Sequence, residues 1–357
     1  MEKKKLVFKN GVTAKNRFML APMTNTQSHE NGSLSDEDLH WLKMRAEGGF
    51  GIIMTCAAHV QEIGKGFPGQ LGIFSDNLKE GHTQLTKQIK SYGSLALIQL
   101  HHAGMRSPKE LINTQPVCPS DNEETGARAL STQEIEKLKN DFILAAIRAK
   151  DWGYDGVELH SAHGYILAQF LSSEINNRND EYGGTIENRS KIIFDLVSAI
   201  REACGIDFLI GVRLSPERFG MDLSEIKIIT QKLIDQGFLD YIDVSLWDVT
   251  KYPEDKSYQD KTLLEHFLEI NYKEVKLTVA GKITSSNQVK NLLREGVDFV
   301  SIGRSAILHH DFPKQLEINS NFETIKTPVS EAYLKKQGLS RKFIDYMRKW
   351  PEFVEEK

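Results

Sequence analysis

Within the stretch DGVELHSAHGYILAQFLSSEINNRNDEYGGTIENR, residues 155 to 189, three side chains able to hold or move a proton fall close together: His160, His163 and Tyr165. They follow Asp155 to Leu159, which is short, apolar and bounded by glycines in the manner of a buried parallel strand. At such a strand end in an α/β barrel, residues from several strands converge on one catalytic pocket. The blander reading is structural, since a lone Tyr near a strand end usually buries its ring and gives its hydroxyl one partner. Three such groups, followed by Gly183-Gly184 and Glu187-Asn188-Arg189, strain that reading. A metal site is the other rival, because two histidines three apart can face the same way and neutral imidazole is a common ligand. Strand alternation leaves the direction of Glu158 open, so it is not readily a third ligand.

The elements that must position these groups alternate between strand and helix, which argues for a parallel sheet with crossover helices. Lys9 to Asn16 is expected as a short hairpin sealing the bottom of a barrel. Strands are expected at Arg17 to Ala21, Gly51 to Thr55, Leu95 to Leu100, Asp155 to Leu159, Phe208 to Leu214, Tyr241 to Ser245, Lys276 to Ala280 and Phe299 to Ile302. A helix is expected from near Ser35, where Asp36 and Glu37 suit the dipole of its first turn. Further helices are expected over Thr132 to Asp151, Glu187 to Cys204, Ser224 to Gln236, Leu263 to Ile270 and Ser285 to Glu295. Eight strands make an α/β fold of the (β/α)8 barrel type, one domain over 1–357 with no Ser/Gly-rich linker. A helical tail over 315–357, carrying Phe343, Met347, Trp350 and Phe353, is expected to pack on the barrel or on a neighbour. The polar loop from the third strand to about Leu130 is long enough to suggest a functional role.

Composition limits the function. The 357 residues are 40% hydrophobic and 26% charged, ordinary material for a large single core. Lys and Arg number 45 against 49 Asp and Glu, a net charge of -4 with no basic stripe, so a small-molecule substrate is expected rather than nucleic acid. No signal-like h-region follows Met1 to Lys5 and no run of about 18 apolar residues occurs, so a cytoplasmic protein without membrane contact is expected. Cys56, Cys118 and Cys204 are far apart and form no C-x-x-C pair, which indicates neither a disulfide framework nor a cysteine-bound iron–sulfur cluster. Cys56, near a strand end, reads as a small buried hydrophobe.

In a barrel the strand ends all face one mouth. They present Pro22-Met23-Thr24, Ala57, Gln99 with His101 and His102, the trio, Arg213, Ser245, Gly281, and Gly303 with Arg304. Loops after the seventh and eighth strands often form a phosphate site, and a glycine in each lets backbone N–H groups approach an anion. Arg304 would add a charged fork. A phosphorylated cofactor across the mouth is implied, its reactive ring near Thr24, Gln99, Arg213 and the trio.

These same residues carry a family resemblance. NRFMLAPMT (16–24), IQLHHAG (98–104), HSAHGYILAQFL (160–171), RNDEYGGTIENR (178–189), GVRLS (211–215), VAGKI and FVSIGRSAI (299–307) resemble the old yellow enzyme family, FMN-dependent NAD(P)H oxidoreductases and ene-reductases built on a TIM barrel. The resemblance covers nearly the whole chain, and the long central motif is highly specific. It implies tightly bound, non-covalent FMN, with NADH or NADPH as reductant. By position it puts Pro22, Met23, Thr24, Ala57 and Gln99 around the flavin ring, with Thr24 on the C4-carbonyl edge. Arg213 falls on the N1/C2-carbonyl edge, where a permanent cation favours the reduced anion. Gly281, Gly303 and Arg304 are implied at the phosphate. His160 and His163 are implied as donors to a substrate carbonyl or nitro oxygen, and Tyr165 as the acid that protonates the α-carbon of an electron-poor alkene such as an enone.

The chain departs from that pattern in places. Many relatives continue the third strand as HHAGR, whereas here Met105 comes before Arg106, so a cation at the mouth is expected to be missing or shifted. Thr24 stands where one subgroup has a redox-tuning Cys, and Cys56 where an acidic residue is common. In some relatives a C-terminal Arg enters a neighbour's site; Arg341 and Arg348 are the candidates, with surface charge as the plainer reading, and a homo-oligomer belongs to that expectation. Two other functions stay open: a metal-dependent barrel lyase or hydrolase, and a flavin-binding protein without efficient alkene turnover.

Overall fold

The computed structural model describes residues 4–356. Its centre is a closed barrel of eight parallel strands: β1 (Phe18–Leu20), β2 (Ile52–His59), β3 (Leu95–His101), β4 (Gly156–Ser161), β5 (Leu209–Leu214), β6 (Tyr241–Ser245), β7 (Lys276–Ala280) and β8 (Phe299–Ile302). Each strand pairs with its neighbours in chain order, and β8 closes onto β1 through Val300↔Phe18 and Ile302↔Leu20. The eight-stranded α/β barrel expected from the sequence is therefore present.

Period-two alternation divides the strand side chains between two cores. Outward residues such as Val157, Leu159, Ile210, Val212, Ile242 and Val244 join the helices in the large outer cluster. Inward residues of the lower barrel, Met19, Ile52, Met54, Leu97, Leu209, Tyr241 and Phe299, join Leu6, Phe8 and Ala14 in a separate plug. The N-terminal hairpin begins earlier than expected, pairing Leu6–Val7 with Thr13–Ala14. It inserts Phe8 into the barrel floor, 6.1 Å from the Phe299 ring centroid and 6.3 Å from that of Tyr241.

Glycine 211 is required by this floor. A Cβ built there would lie 2.0 Å from Cζ of Tyr241, so the missing side chain is the space the phenol ring fills. Gly211→Ala is expected to destabilise the protein by about 3 kcal/mol through overpacking, measured as a lower midpoint in a urea melt. An unchanged midpoint would mean that the ring is free to move.

Two further elements differ from expectation. β2 runs on through Cys56-Ala57-Ala58 to His59, because the β2–β3 register shifts between Met54 and Ala57 and the bulge keeps the strand paired past its expected end. An additional helix, Lys79–Ser91, connects β2 to β3 and buries His82, Leu85, Thr86 and Ile89, the spacing of one helical face. Several of the helices expected from the sequence start where side chains cap them. Ser131 forms a capping box with Glu134, and Thr185, Asp222 and Ser285 each accept from the backbone N–H three residues on.

The tail contributes the short helices Phe312–Ile318, Glu331–Lys336 and Arg341–Met347. It rests on the first barrel helix, Asp36–Glu47, where Phe343 meets Trp41 edge-on at 5.4 Å. No helix of the described residues is long and apolar enough to cross a membrane.

Candidate active site

Above the apolar floor the barrel interior becomes polar. Gln99, Glu158, Arg213, Asp243, Thr278 and Ser301 point inward from β3 to β8 and are all nearly inaccessible. Barrels of this class usually fill such layers with branched hydrocarbon. Strand register sets the contacts: Gln99 faces Glu158, and Arg213 faces both His160 and Asp243. Gln99 donates its amide N–H to Oε1 of Glu158 at 2.8 Å. Nε of Arg213 lies 3.2 Å from Oδ2 of Asp243, but off the line of a hydrogen bond, so neither Asp243 oxygen has a hydrogen-bond partner among the described residues. Glu158 is pushed up to about 8 by burial and then by the charge of Asp243, and burial raises Asp243 as well. The sequence left the direction of Glu158 open; it points into the barrel, beneath the mouth.

At the mouth the β4 trio comes together as expected. The His160 and His163 ring centroids are 5.1 Å apart, and the Tyr165 ring lies 5.0 Å from His160 and 4.3 Å from His101, edge-on in each case. His163 takes a left-handed backbone at φ 59°, a conformation uncommon for a side-chain-bearing residue and found disproportionately at functional sites. Its N–H donates to Oγ of Ser215, and its Nε2 meets Oγ of Ser245 at 2.8 Å. Nδ1 of His163 is 3.4 Å from Nε2 of His160, while Nδ1 of His160 is buried with no partner among the described residues. With Ser245 donating to His163 and His163 to His160, the row ends in a His160 Nδ1–H donor that a ligand oxygen would satisfy. Both imidazoles are neutral. Burial, then the charge of Arg213, brings His163 down to about 3, and burial, then the neighbouring His163 and His101 rings and the charges of Arg213 and Arg106, holds His160 well below its usual range.

A cation is present at the mouth. Arg106 follows Met105 in the turn after β3, and its guanidinium carbon lies 4.7 Å from the Tyr165 ring centroid. Its Nη1 donates to the carbonyl of His163. Trp247 and Phe219, which sequence reasoning did not single out, come from the loops after β6 and β5. Trp247 is edge-on to His163 at 5.7 Å, and Phe219 packs on Gly164.

The remaining candidates ring the same mouth. Pro22, Met23 and Thr24 are half-buried after β1, and Ala57 beyond the β2 bulge accepts from Gln70 Nε2 at 2.9 Å. Gln70 also meets Nδ1 of His101 at 3.0 Å. Gly281 is a position of close approach, where a Cβ would lie 2.9 Å from the Val249 nitrogen. At Gly303 a Cβ would find only Sδ of Met23, at 3.6 Å, so the space above it is open. Arg304 is exposed and lies 5.8 Å from the Trp350 ring of the tail. Arg341 and Arg348 are taken up within the tail, by Asp345 at 3.7 Å and by Glu331 respectively. Cys56 is buried and its thiol is pushed up by desolvation, as befits an inert packing residue. Among the described residues no group of three or more His, Cys, Asp or Glu is arranged to hold a metal ion.

Buried neutral histidines make the fold acid-sensitive. His59 and His82 are brought down to about 4 and His102 to about 3, with His101, His160 and His163 also depressed, all chiefly by burial. Between pH 6.5 and about 4 the unfolded chain binds more protons at these six groups than the folded one, so stability falls as pH falls. Asp38, Glu158, Asp240 and Asp243, raised by burial, act in the opposite sense and are fewer. The melting temperature is expected to drop steadily from pH 6.5 to 4; a flat profile would contradict neutral, buried imidazoles.

A parallel barrel with a buried arginine and a row of neutral donors at its C-terminal mouth defines the class: a cofactor-dependent barrel enzyme. Comparison with known proteins gives the family. The model of the NADH:flavin oxidoreductase / NADH oxidase family matches residues 5–323, and the chain belongs to that family. It is 35% identical over 312 residues to a Bacillus subtilis (strain 168) protein named probable NADH-dependent flavin oxidoreductase YqiG, covering 84% of this chain and 83% of that one. It is also 35% identical over 315 residues to an NADPH dehydrogenase of Bacillus pumilus, covering 85% and 90%. The structure of an old yellow enzyme homologue from Zymomonas mobilis superposes with a TM-score of 0.81 at 25% identity, covering 96% of this chain and 98% of that one. Three other curated relatives are longer, and the chain spans between 32% and 48% of their length. The protein is thus an FMN-dependent NAD(P)H oxidoreductase with the TIM barrel of the old yellow enzymes.

Proposed function

We propose that the protein reduces electron-poor alkenes, enones in the first place and nitro compounds or quinones as further acceptors, in a ping-pong cycle with Tyr165 as proton donor. The mouth fits FMN. His160 Nδ1 is a buried polar atom lacking a partner, Arg213 is a buried cation with a poorly aligned counter-charge, and the space above Gly303 is open. When bound, FMN supplies the hydride chemistry, with NADH or NADPH as the source. Pro22, Met23, Thr24, Ala57, Gln99, His160 and Arg213 would hold the ring. Gly281, Gly303 and Arg304 would hold the phosphate, Arg304 from its place beside Trp350.

The remaining steps belong to the chain's own side chains. His160 and His163 hold the carbonyl or nitro oxygen of the acceptor, and negative charge developing there is stabilised by roughly 3 kcal/mol per donor. Neutral imidazoles suit this: His160 presents its unpartnered Nδ1–H, and His163 can turn its single N–H from the long 3.4 Å contact with His160 to the acceptor oxygen. Tyr165 delivers a proton to the α-carbon; burial raises its pKa, so it is protonated at pH 7. Trp247 and Phe219 flank the opening beside His163 and Gly164.

The observation that carries this reading is the His160–His163–Tyr165 cluster at the exit of β4. Its test is anaerobic stopped-flow: protein reduced by NADH or NADPH is mixed with 2-cyclohexenone and the return of flavin absorbance is followed. Saturable reoxidation is expected. Protein that stays reduced with enone, nitro compound and quinone alike is a flavin carrier without alkene turnover, and the proposal fails.

A further inference from the structure

We propose that the acceptor carries a carboxylate in addition to its activating carbonyl, and that Arg106 is the residue that binds it. The substrate class rests on the alkene-reductase reading above; the carboxylate site itself does not.

Arg106 is exposed at the mouth, tied by Nη1 to the His163 carbonyl and set over the Tyr165 ring at 4.7 Å. Among the described residues it meets no carboxylate. Other arginines around the mouth have other places: Arg213 and Arg304 are assigned to FMN above, and Arg218 pairs with Glu254 at 2.6 Å. A guanidinium has five N–H donors in a fixed fork, and one bond to a carbonyl leaves most of them for a ligand. Its charge reaches the reacting groups, since it helps depress His101, His160 and His163 and pulls against the burial that raises Tyr165.

A guanidinium fork matches the two oxygens of a carboxylate through parallel N–H···O bonds, and a carboxylate is the anion that an alkene acceptor can carry on its own carbon chain. Glu158 and Asp243 lie fully buried within the barrel, and no carboxylate of the described residues pairs with Arg106. The His163 carbonyl anchors Arg106, and the His163 ring is the proposed oxygen donor. The two substrate anchors are thus tied together at the turn after β4, where Arg106 also lies over the Tyr165 ring.

The test compares 4-oxo-2-pentenoate with its methyl ester, the same alkene with and without the charge. The wild-type holoenzyme is expected to favour the acid in kcat/KM. Arg106→Gln is expected to lower the acid-to-ester ratio by about 10- to 100-fold, the span of one charged hydrogen-bonding contact, and Arg106→Lys to recover part of it. The saturated acid 4-oxopentanoate, which cannot react, is titrated calorimetrically against the same holoenzymes and should lose affinity by a similar factor in Arg106→Gln. The proposal is overturned if the ratio is unchanged in a variant that keeps its FMN and its melting temperature. It is equally overturned if the loss appears as a raised KM for NADPH and not for NADH, which would make the cofactor's phosphate the ligand. If neither acid nor ester is turned over, the alkene reading falls, and the 4-oxopentanoate titration alone decides the carboxylate site.

Discussion

Tyr165→Phe is expected to slow reoxidation of the reduced protein by 2-cyclohexenone by about 10²- to 10⁴-fold, the range for removing a positioned general acid. Reduction of the oxidised protein by NADH should proceed at the wild-type rate, because hydride delivery from the nicotinamide needs no proton from the phenol. The ring is held by its neighbours and not by its hydroxyl. His101 and His160 pack edge-on against it at 4.3 and 5.0 Å, and the Arg106 guanidinium covers it at 4.7 Å. A phenyl ring therefore keeps the same place, and the substitution removes the proton alone. The size of the loss should depend on the acceptor. A quinone takes its protons on oxygen, where water can supply them, so its turnover should fall less than about tenfold, well short of the loss for a reaction that needs a positioned carbon acid. Equal losses in the two half-reactions, or for enone and quinone, would remove Tyr165 from the role of proton donor.

The cluster was legible because Tyr165, His160 and His163 lie within one short stretch after one strand, where local sequence is enough to bring them together, while the proton-donor role proposed for Tyr165 came from the family resemblance. β6, β7 and β8 have the bounds expected from their short runs of apolar residues, Tyr241–Ser245, Lys276–Ala280 and Phe299–Ile302. The end of β2 was not legible, since nothing in Met54 to Ala57 announces a bulge and only the partner strand reveals it. The helix Lys79–Ser91 went unread because its N-cap, Leu78, has no capping side chain, although its buried face has regular helical spacing. Ser245 could be collected as a strand end, but its bond to His163 spans 82 residues and depends on barrel closure. Asp243 had a local signal that was not used: in Tyr-Ile-Asp-Val-Ser it shares the phase of Tyr241 and Ser245, so it must face inward if they do. Arg106 could be flagged as displaced by Met105, but the turn Gly104–Arg106 had to be seen before the displacement could be read as a reach across Tyr165.

The inward phase of Asp243 sets up the second large effect. Arg213→Met is expected to destabilise the protein by about 3–5 kcal/mol, the cost of taking one partner from a buried ion pair. Arg213 is the cation beside Asp243, which is fully buried with no hydrogen bond to either oxygen, and Glu158 is buried in the same interior. Without the guanidinium both carboxyls must be protonated to stay in the barrel, so their folded pKa values rise further above those of the unfolded chain. A carboxyl raised in the folded state stabilises at low pH and loses that contribution as pH climbs towards its folded pKa. From pH 5 to 8 the variant's melting temperature should therefore fall, beginning near the unfolded carboxylate range and continuing past 8, where wild-type Glu158 already titrates at about 8. The doubly substituted Arg213→Met, Asp243→Asn protein removes the stranded charge and should recover most of the loss at pH 8 and little of it at pH 5. If the single variant melts like wild type across this range, or the second substitution recovers nothing at pH 8, then Arg213 does not balance charge in the barrel. Its burial beneath the mouth would then have to be explained by what it offers a ligand alone.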